Sequence, residues 1–564
     1  MKRCAFALLS VALTLGVVLL AGCAPAATPQ VVKETVIVPK EVTKVVKETV
    51  VVPKEVEVTR IVEKVVTATP AAEAKGEEVM VQGRPIAQFF ADTCGGCHGV
   101  HREGALGPAL IPQRLTQDDE FYFQTIENGR PGTSMLPKGG QPQLTDDEIH
   151  ALVKFIKSEP EAAATRWGME EIQNTVEIMV PPDQLATEPT HSGNLDNLML
   201  VTEREARGIA VFDGDTNTFL GKIDASYRAH GYTFDPSNPR WAYNVGRDGW
   251  LFKIDLYTLQ AVAKVRVGID SRAIAISDDG KYVIVGNYIP TNMVIVDTET
   301  MQPVKVIEAE GTDPDGKFVK SRVAGINATS RKLVGPYFLV NLKEAGQVWR
   351  IDYSKPDFPI VKLENVGKIL HEGFETPDQK YFYATSQASD WMAVIDVANW
   401  KLVTKIPTGE KPHPGPGAIW EASDGKLYAA TVHIKAGLIL IWDVATNQEV
   451  KRIPTVGPGL FIRTTENVPY VFADALFSQE APNTIYAVEK DPPFNVHEIK
   501  IEGGQKCLHP EPTADGKYVY ISDWTGNKVY VYDATTLEKV KEFDDITTPT
   551  GIFNSSRRYE TLGH

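Results

Sequence analysis

The pattern of apolar and polar positions changes near residue 195. Beyond it, short segments of alternating apolar and polar residues recur, which is typical of antiparallel strands. Each recurrence ends in a V-x-D-like mark before a turn, and the marks fall at Asp213, Asp255, Asp297, Asp352, Asp396, Asp443, Glu489 and Asp533. Four strands repeated every ~45 residues are typical of a propeller blade. Residues 195–564 are therefore predicted to form an all-β eight-bladed propeller, with seven blades as the alternative if the weakest mark, at Glu489, is fortuitous.

Residues 84–160 carry a helical pattern instead. The clearest predicted helix lies in LTDDEIHALVKFIKS, residues 144–158, where Thr145 and Glu148 have the spacing of a capping box. Its apolar stripe consists of Ile149, Leu152, Val153 and Ile156. The pattern predicts a small all-α domain, joined to the propeller by a linker at 161–194.

The N-terminus is typical of an exported protein. Lys2 and Arg3 precede an apolar run at 5–20, so residues 1–22 are predicted to be a signal peptide. The run ends in LAGC, and Cys23 resembles the lipidated cysteine of a bacterial lipoprotein. A plain secretory signal is the alternative. We expect a membrane-anchored lipoprotein on the periplasmic, extracytoplasmic side.

Residues 23–80 are predicted to be a low-complexity tether. KETVIVPKEV at 33–42 recurs as KETVVVPKEV at 47–56, with valines spaced by sevens. That spacing would suit a short coiled stalk. Pro39 and Pro53 would break long helices, which favours an extended tether.

Charge and cysteine count narrow the classes of function. The formal net charge is −15, which disfavours nucleic acid as a partner because phosphate binding needs a basic face. Of the five cysteines, Cys4 leaves with the signal and Cys23 takes the lipid. Cys94 and Cys97 share one motif, so Cys507 has no partner and no disulfide framework is expected.

That motif is CGGCH, residues 94–98, the attachment signature of a c-type haem. The thiols of Cys94 and Cys97 would bond the haem covalently, and His98 would bind the iron. Met135 is the predicted sixth ligand, with His101 and His150 as rivals. A His/Met haem has no open position and moves electrons only. The propeller must then supply the reaction or the partner.

The chain resembles the cytochrome cd1 nitrite reductases. The resemblance rests on CGGCHGVHREGALGPAL, on RWGMEEI at 166–172 and on the eight repeats, and it extends to TPTGIFN at 548–554. It implies a small all-α cytochrome c domain followed by an all-β eight-bladed propeller that binds a second, non-covalent haem d1. It also implies the one-electron reduction of nitrite to nitric oxide.

Individual segments extend the resemblance. SYRAHGYTF implies that His230 binds the d1 iron, and ILHEGFET and KPHPGPGAIW imply that His371 and His413 are catalytic on the distal face. Further segments imply a d1 pocket formed by Arg204, Arg247, Arg272, Tyr288, Arg322, Phe461, His509, Trp524, Thr550 and Gly551. His433 is a candidate for a supporting position nearby.

The residue types suit this chemistry. Haem d1 carries several carboxylates, which arginines bind bidentately. Nitrite loses an oxygen as water and needs two protons, which two histidines can supply while holding the anion in their cationic form.

Two positions depart from the family pattern. His509 stands where glutamine is common, and no tyrosine precedes Tyr122, so the tyrosine that some relatives place over the d1 iron has no counterpart. The lipid tether is also unusual for the family.

Three functions follow as hypotheses. The first is nitrite reduction, with electrons from a small c-type cytochrome or a cupredoxin, in a homodimer as the resemblance implies. The second is a haem d1 maturation protein that oxidises a d1 precursor or hands it on; such relatives lack one or both distal histidines. Both histidines are present here, which favours nitrite reduction. The third is an electron-transfer propeller without d1.

Overall fold

A computed structural model of the chain describes residues 79–104, 107–130, 135–137, 144–160 and 167–559. The predicted signal peptide, Cys23 and nearly all of the tether lie outside these residues. Within the part that is described, no helix is long and apolar enough to span a bilayer.

The described residues of the N-terminal part form four helices and a short hairpin. The elements are β1 (Met80–Val81), β2 (Arg84–Pro85), α1 (Ile86–Thr93), α2 (Gly95–His98), α3 (Asp119–Asn128) and α4 (Asp146–Lys157). The predicted capping box of Thr145 and Glu148 is present at the start of α4. All four residues of its predicted stripe are buried against Phe89 and Phe90 of α1. The hairpin of β1 and β2 is an addition to the predicted all-α domain.

The segment predicted as a linker contributes to the propeller. It contains α5 (Met169–Gln173), β3 (Glu177–Ile178) and a 3-10 turn at Pro182–Gln184. Ile172 is fully buried, and β3 pairs with an outer propeller strand at Ala263. Its apolar residues therefore anchor the segment to the propeller, so it is more than a simple connection.

The remaining strands form eight blades in a ring, as predicted. Blade 1 consists of β4 (Leu198–Glu203), β5 (Gly208–Asp213), β6 (Thr218–Asp224) and the last strand of the chain, β37 (Pro549–Asn554). Blades 2 and 3 comprise β7 (Ala229–Phe234), β8 (Trp241–Gly246), β9 (Trp250–Asp255) and β10 (Gln260–Arg266), then β11 (Asp270–Ile276), β12 (Tyr282–Ile289), β13 (Asn292–Asp297) and β14 (Pro303–Glu308). A small hairpin, β15 (Glu310–Thr312) and β16 (Phe318–Lys320), follows blade 3.

Blades 4 to 8 continue the same order. Blades 4 and 5 comprise β17 (Val323–Ala328), β18 (Tyr337–Leu342), β19 (Gln347–Asp352) and β20 (Ile360–Leu363), then β21 (Leu370–Glu375), β22 (Tyr381–Ser386), β23 (Trp391–Asp396) and β24 (Lys401–Pro407). Blades 6 and 7 comprise β25 (Pro412–Glu421), β26 (Leu427–His433), β27 (Leu438–Asp443) and β28 (Gln448–Pro454), then β29 (Ile462–Arg463), β30 (Tyr470–Asp474), β31 (Thr484–Glu489) and β32 (Val496–Lys500). Blade 8 comprises β33 (Cys507–Pro512), β34 (Tyr518–Asp523), β35 (Lys528–Asp533) and β36 (Lys539–Phe543), and a 3-10 turn at Ser555–Tyr559 follows β37.

The repeated V-x-D marks now have a structural explanation. Every mark is the last residue of the third strand of its blade, including Glu489 at the end of β31. The Asp297 carboxylate, for example, accepts hydrogen bonds from the amide and hydroxyl of Thr300, both 2.9 Å long. An acidic side chain that satisfies turn amides is favoured where a tight hairpin leaves the sheet. The acidic residue therefore recurs because each blade needs a hydrogen-bond acceptor in the turn after its third strand.

The ring closes through pairing of β37 with β4, and a buried ion-pair network supports the closure. Glu511 on β33 is fully buried and contacts two guanidinium groups, Arg463 Nε at 3.0 Å and Arg557 Nη2 at 2.7 Å. Burial alone would raise the pKa of Glu511, but Arg557 and Arg463 outweigh it and lower the pKa to about 2.

Replacing Glu511 by glutamine should lower the free energy of unfolding of the propeller by about 3 kcal/mol, because two buried guanidinium groups lose their counter-charge. Since the folded-state pKa is depressed, the carboxylate stabilises the fold above the ordinary glutamate range, and this contribution is lost as the pH falls through about 2. Urea unfolding at neutral pH measures the effect. The exposed Glu538→Gln is the matched control, and equal losses in both variants would contradict the account.

Two arginines attach the cytochrome part to the propeller. The buried Arg266 guanidinium of blade 2 donates to the carbonyls of Glu103 and Gly104, both at 2.7 Å, in the loop after the CGGCH motif. Arg114 donates in the other direction, to the carbonyls of Arg247 and Ile269. These contacts hold the loop that follows His98 against blade 2, near Arg247.

Candidate functional site

In the CGGCH motif, Cys94 joins α1 to α2, and the remaining four residues form the single turn of α2. His98 is 9% exposed, and its Nδ1 lies 2.8 Å from the carbonyl oxygen of Pro108, so Nδ1 carries the proton and Nε2 keeps its lone pair. A methyl group on Gly107 would lie 2.8 Å from the His98 ring, so the loop fits closely around it. Cys94 and Cys97 are partly exposed on the same turn. These residues fit a covalent haem with His98 as iron ligand.

The sixth ligand stays a prediction. Met135 is partly buried, and its carbonyl accepts a hydrogen bond from the Arg130 amide, 2.9 Å long. His101 is exposed, and the exposed His150 lies against Phe123 with ring centroids 4.6 Å apart.

The predicted d1 residues share one end of the propeller. The first strands of neighbouring blades contact each other around the centre of the ring. Most of them lie within the first three residues of the first strand of a blade: His230, Arg272, His371, His413, His509, Thr550 and Gly551. Two others, Arg322 and Phe461, lie one residue before the first strands of blades 4 and 7. Arg204, Arg247, Tyr288 and Trp524 lie at or just beyond the ends of second strands. Because paired strands are antiparallel, these two sets of positions meet on the same face of the ring.

Irregular pairing explains how these side chains reach the centre. The ladder between first and second strands skips residues close to the start of the first strand in several blades. The skipped residues include His230, Arg272, His371 and Glu372, His509, and Thr550 and Gly551. A bulge turns a side chain away from the regular alternation and is common next to active sites. Alternation in the sequence could not show these bulges.

Arg247, Arg272 and Arg322 surround the ring of Tyr288. Their guanidinium carbons lie 5.0, 5.8 and 4.9 Å from the ring centroid. Arg247 Nη1, Arg272 Nε and the Tyr288 hydroxyl are buried and make no hydrogen bond to any described residue. Buried donors without an acceptor are costly, and such donors fit the carboxylates of a bound ligand. This cluster therefore fits the predicted binding of haem d1.

The distal histidines lie on either side of an acidic residue that the sequence analysis missed. His371 Nδ1 is 3.4 Å from Glu372 Oε1, and His413 Nε2 is 3.5 Å from Glu372 Oε2. The two imidazole centroids are 4.8 Å apart, and all three side chains are buried. His413 Nδ1 lies 2.7 Å from the Leu460 carbonyl, so it carries the proton and Nε2 faces the carboxylate with a lone pair.

Burial determines the charge state of this cluster. It lowers the pKa of His371 well below 6.5, and Glu372 offsets this only in part. Burial and the Arg272 charge likewise lower the pKa of His413. Burial opposes ionisation of Glu372, but its pKa is held well below the usual range, and Arg272 Nη2, 3.2 Å from Oε1, supplies the positive charge beside it. The histidines are thus neutral beside an ionised carboxylate, whereas the sequence analysis assumed cationic histidines that hold an anion.

Other predicted residues form the remaining walls. The His509 ring stacks on Phe461 with centroids 4.1 Å apart, and its nitrogens contact the Ile552 amide and Arg557. Arg204 lies over the Trp524 ring at 5.3 Å. His509 therefore acts on the pocket through Phe461. His230 is partly buried at the skipped position of blade 2, where its role as iron ligand stays a prediction.

Two further residues, His433 and Lys343, lie at the ends of second strands on this face of the ring. His433 ends the second strand of blade 6, on the same face, and its Nδ1 lies 3.0 Å from the Leu438 carbonyl. Lys343 follows the second strand of blade 4, and the sequence analysis missed it. Glu372 stood inside a quoted segment, beside His371, and could have been found there. Lys343 could be found only by aligning the ends of second strands.

Comparison with known proteins supports the arrangement. Residues 193–558 match the family described as Cytochrome D1 heme domain, and residues 81–156 match that of the cbb3-type cytochrome c oxidase subunit III. The chain is 32% identical to a dihydro-heme d1 dehydrogenase of Pseudomonas aeruginosa over 86% of its own length and 94% of the relative's. It is 29% identical to a nitrite reductase of Stutzerimonas stutzeri, with the same two coverages of 86% and 94%.

A solved structure of a related protein has the same fold. The dihydro-heme d1 dehydrogenase NirN in complex with DHE superposes with a TM-score of 0.75 at 31% identity, covering 84% of this chain and all of that one. The family match over residues 193–558 includes all eight blades and every predicted pocket residue. The chain therefore belongs to the cytochrome d1 haem domain family.

Proposed function

We propose that the protein is a dihydro-haem d1 dehydrogenase, the second of the three functions considered. Its substrate would lose two electrons and two protons, forming haem d1 with one new double bond. The electrons would leave singly through haem c to a small one-electron acceptor protein. The 32% identical dehydrogenase and the superposition of NirN with DHE support this choice over nitrite reduction.

The observation that carries the proposal is the pair of acceptor atoms at the distal face. His413 Nε2 has a lone pair, Glu372 Oε2 makes no hydrogen bond to any described residue, and the two atoms are 3.5 Å apart. A proton that arrives between them meets two acceptors at once, and because both pKa values are lowered, the pair is unprotonated and ready to accept at neutral pH. Dehydrogenation requires a proton acceptor, whereas nitrite reduction requires proton donors.

The remaining groups bind and orient the substrate. Arg247, Arg272 and Arg322 lie around the Tyr288 ring, and the buried Arg247 Nη1 and Arg272 Nε have no acceptor among the described residues, so they can donate to substrate carboxylates. Phe461, with the buried His509 ring stacked behind it, gives a flat aromatic wall, which suits a tetrapyrrole edge. When bound, haem c supplies a one-electron acceptor at His98.

Nitrite reduction is the second candidate, because both distal histidines are present 4.8 Å apart and could deliver two protons. The ionised Glu372 disfavours it, since a buried carboxylate repels a nitrite anion at the same place. Histidines that are neutral near pH 7 also lack the second, acidic N–H proton of an imidazolium, which is the proton that a general acid donates.

The two candidates separate in one anaerobic comparison of the haem c-loaded protein. With dihydro-haem d1 and a ferric cytochrome as acceptor, we expect the haem d1 absorption spectrum to develop over many turnovers. With haem d1, a reductant and nitrite, we expect little nitric oxide at an electrode. Sustained nitric oxide release without oxidation of the dihydro-haem would overturn the proposal in favour of nitrite reduction.

A further inference from the structure

Lys343 occupies the position in blade 4 that corresponds to Arg204, Arg247 and Trp524 in blades 1, 2 and 8. Each of these residues directly follows the second strand of its blade. The Lys343 amide donates to the Arg322 carbonyl at 2.8 Å, and its carbonyl accepts from the Leu370 amide at 3.0 Å. Lys343 therefore lies between an arginine of the cluster around Tyr288 and the strand that carries His371.

The side chain is buried but has no protein counter-ion. Lys343 is 9% exposed, and its ammonium makes no hydrogen bond or ion pair to any described residue. An ammonium on a side chain that is this deeply buried is normally paired, so this one is suited to an anion from outside the chain. Its nearest acidic neighbours, Glu344 and Glu372, are already engaged by Arg322 and Arg272.

We propose that the Lys343 ammonium binds a carboxylate of the tetrapyrrole, together with Arg272 and Arg322. The identity of the ligand rests on the proposed function; the position and the unpaired ammonium do not. Arginines alone could hold such a carboxylate at constant charge, but a lysine can also change its protonation when the ligand arrives.

The surrounding charges make this change measurable. Burial, together with Arg272 and Arg322, lowers the pKa of Lys343 to about 7, and Glu344 and Glu372 oppose that only in part. The neutral His371 and His413 also face this region. A bound carboxylate favours the ammonium and raises the pKa again. Ligand binding at about pH 8 should therefore draw close to one proton into the protein, and far less at about pH 6.

Calorimetry with extracted haem d1, run in two buffers of different ionisation enthalpy, tests the proposal without turnover. Lys343→Met should bind haem d1 at least about tenfold more weakly than wild type, because a charged hydrogen bond is lost. Lys343→Arg should retain affinity but lose about one proton of uptake at about pH 8, because arginine stays protonated. The exposed Lys355→Met, after blade 4's third strand, is the matched control.

A methyl-esterified haem d1 completes the design. Without free carboxylates, wild type and Lys343→Met should bind it equally. Equal affinity and equal proton uptake for haem d1 in both proteins would overturn the role of Lys343 and leave the proposed function intact. Failure of the wild-type protein to bind haem d1 at all would overturn both. Unchanged circular dichroism and haem c absorption confirm that the variants fold.

Discussion

His413→Gln should reduce the oxidation of dihydro-haem d1 by about a hundredfold or more, which is the usual contribution of a positioned general base. Glutamine keeps the polarity and approximate length of the side chain but cannot accept the proton at the place of Nε2. The loss should fall on kcat, with KM for the dihydro-haem little changed, because the arginines that bind carboxylates stay in place. Steady-state oxidation followed by absorbance measures both parameters.

The control is His497→Gln, whose imidazole is exposed and paired with Glu489 at 3.1 Å on an outer strand. The pH dependence gives a second test. Since the pKa of His413 is lowered, as is that of His371, the base form persists below the ordinary histidine range, and activity should decline only below pH 6.5. A proton-donor role would give the opposite trend, with activity already lost near neutrality. Full activity of His413→Gln would contradict the base assignment.

The double variant Cys94→Ser, Cys97→Ser should abolish turnover entirely while leaving the propeller able to bind haem d1. Without thioether bonds the haem c electron acceptor is lost, whereas the pocket residues lie on separate strands of the ring. We expect no c-type absorption, no oxidation of dihydro-haem and near-normal affinity for haem d1 by calorimetry.

Cys507→Ala is the matched control, because this thiol is buried in blade 8 and contributes to its core. That variant should keep its c-type spectrum and its activity. Turnover by the double serine variant with a soluble acceptor would show that electrons leave the substrate without haem c, which contradicts the proposed route.

Much of the fold could be predicted because its signals are local. The capping box and stripe of α4 lie within fourteen consecutive residues, 145–158. The blade marks are turn residues that satisfy their own hairpins, as at Asp297, so each blade carries its signature independently of the others. Even Glu489, the weakest mark, ends a third strand because a longer carboxylate can still accept hydrogen bonds at that turn.

The sequence identified part of the site but did not predict the charge state of its histidines. Resemblance identified His371 and His413, but burial, which no local pattern encodes, keeps them neutral. Glu372 and Lys343 were missed because their roles arise from contacts between blades, and the bulge that turns Glu372 inward appears only in the strand pairing. The hydrogen bond from Trp167 Nε1 to the Arg266 carbonyl, 2.8 Å long, was likewise missed, because the two residues are 99 positions apart in the sequence.

The most direct test of dehydrogenation is a single-turnover titration. Anaerobic protein with ferric haem c is mixed with a substoichiometric amount of dihydro-haem d1, and both chromophores are followed by absorbance. The account predicts that two haem c groups become ferrous for each haem d1 formed. The substrate loses two electrons and the single haem c of its chain accepts one, so the second electron passes to the haem c of another protein molecule, which is present in excess. Dihydro-haem that stays unchanged on the protein, with haem c still ferric, would contradict the central claim.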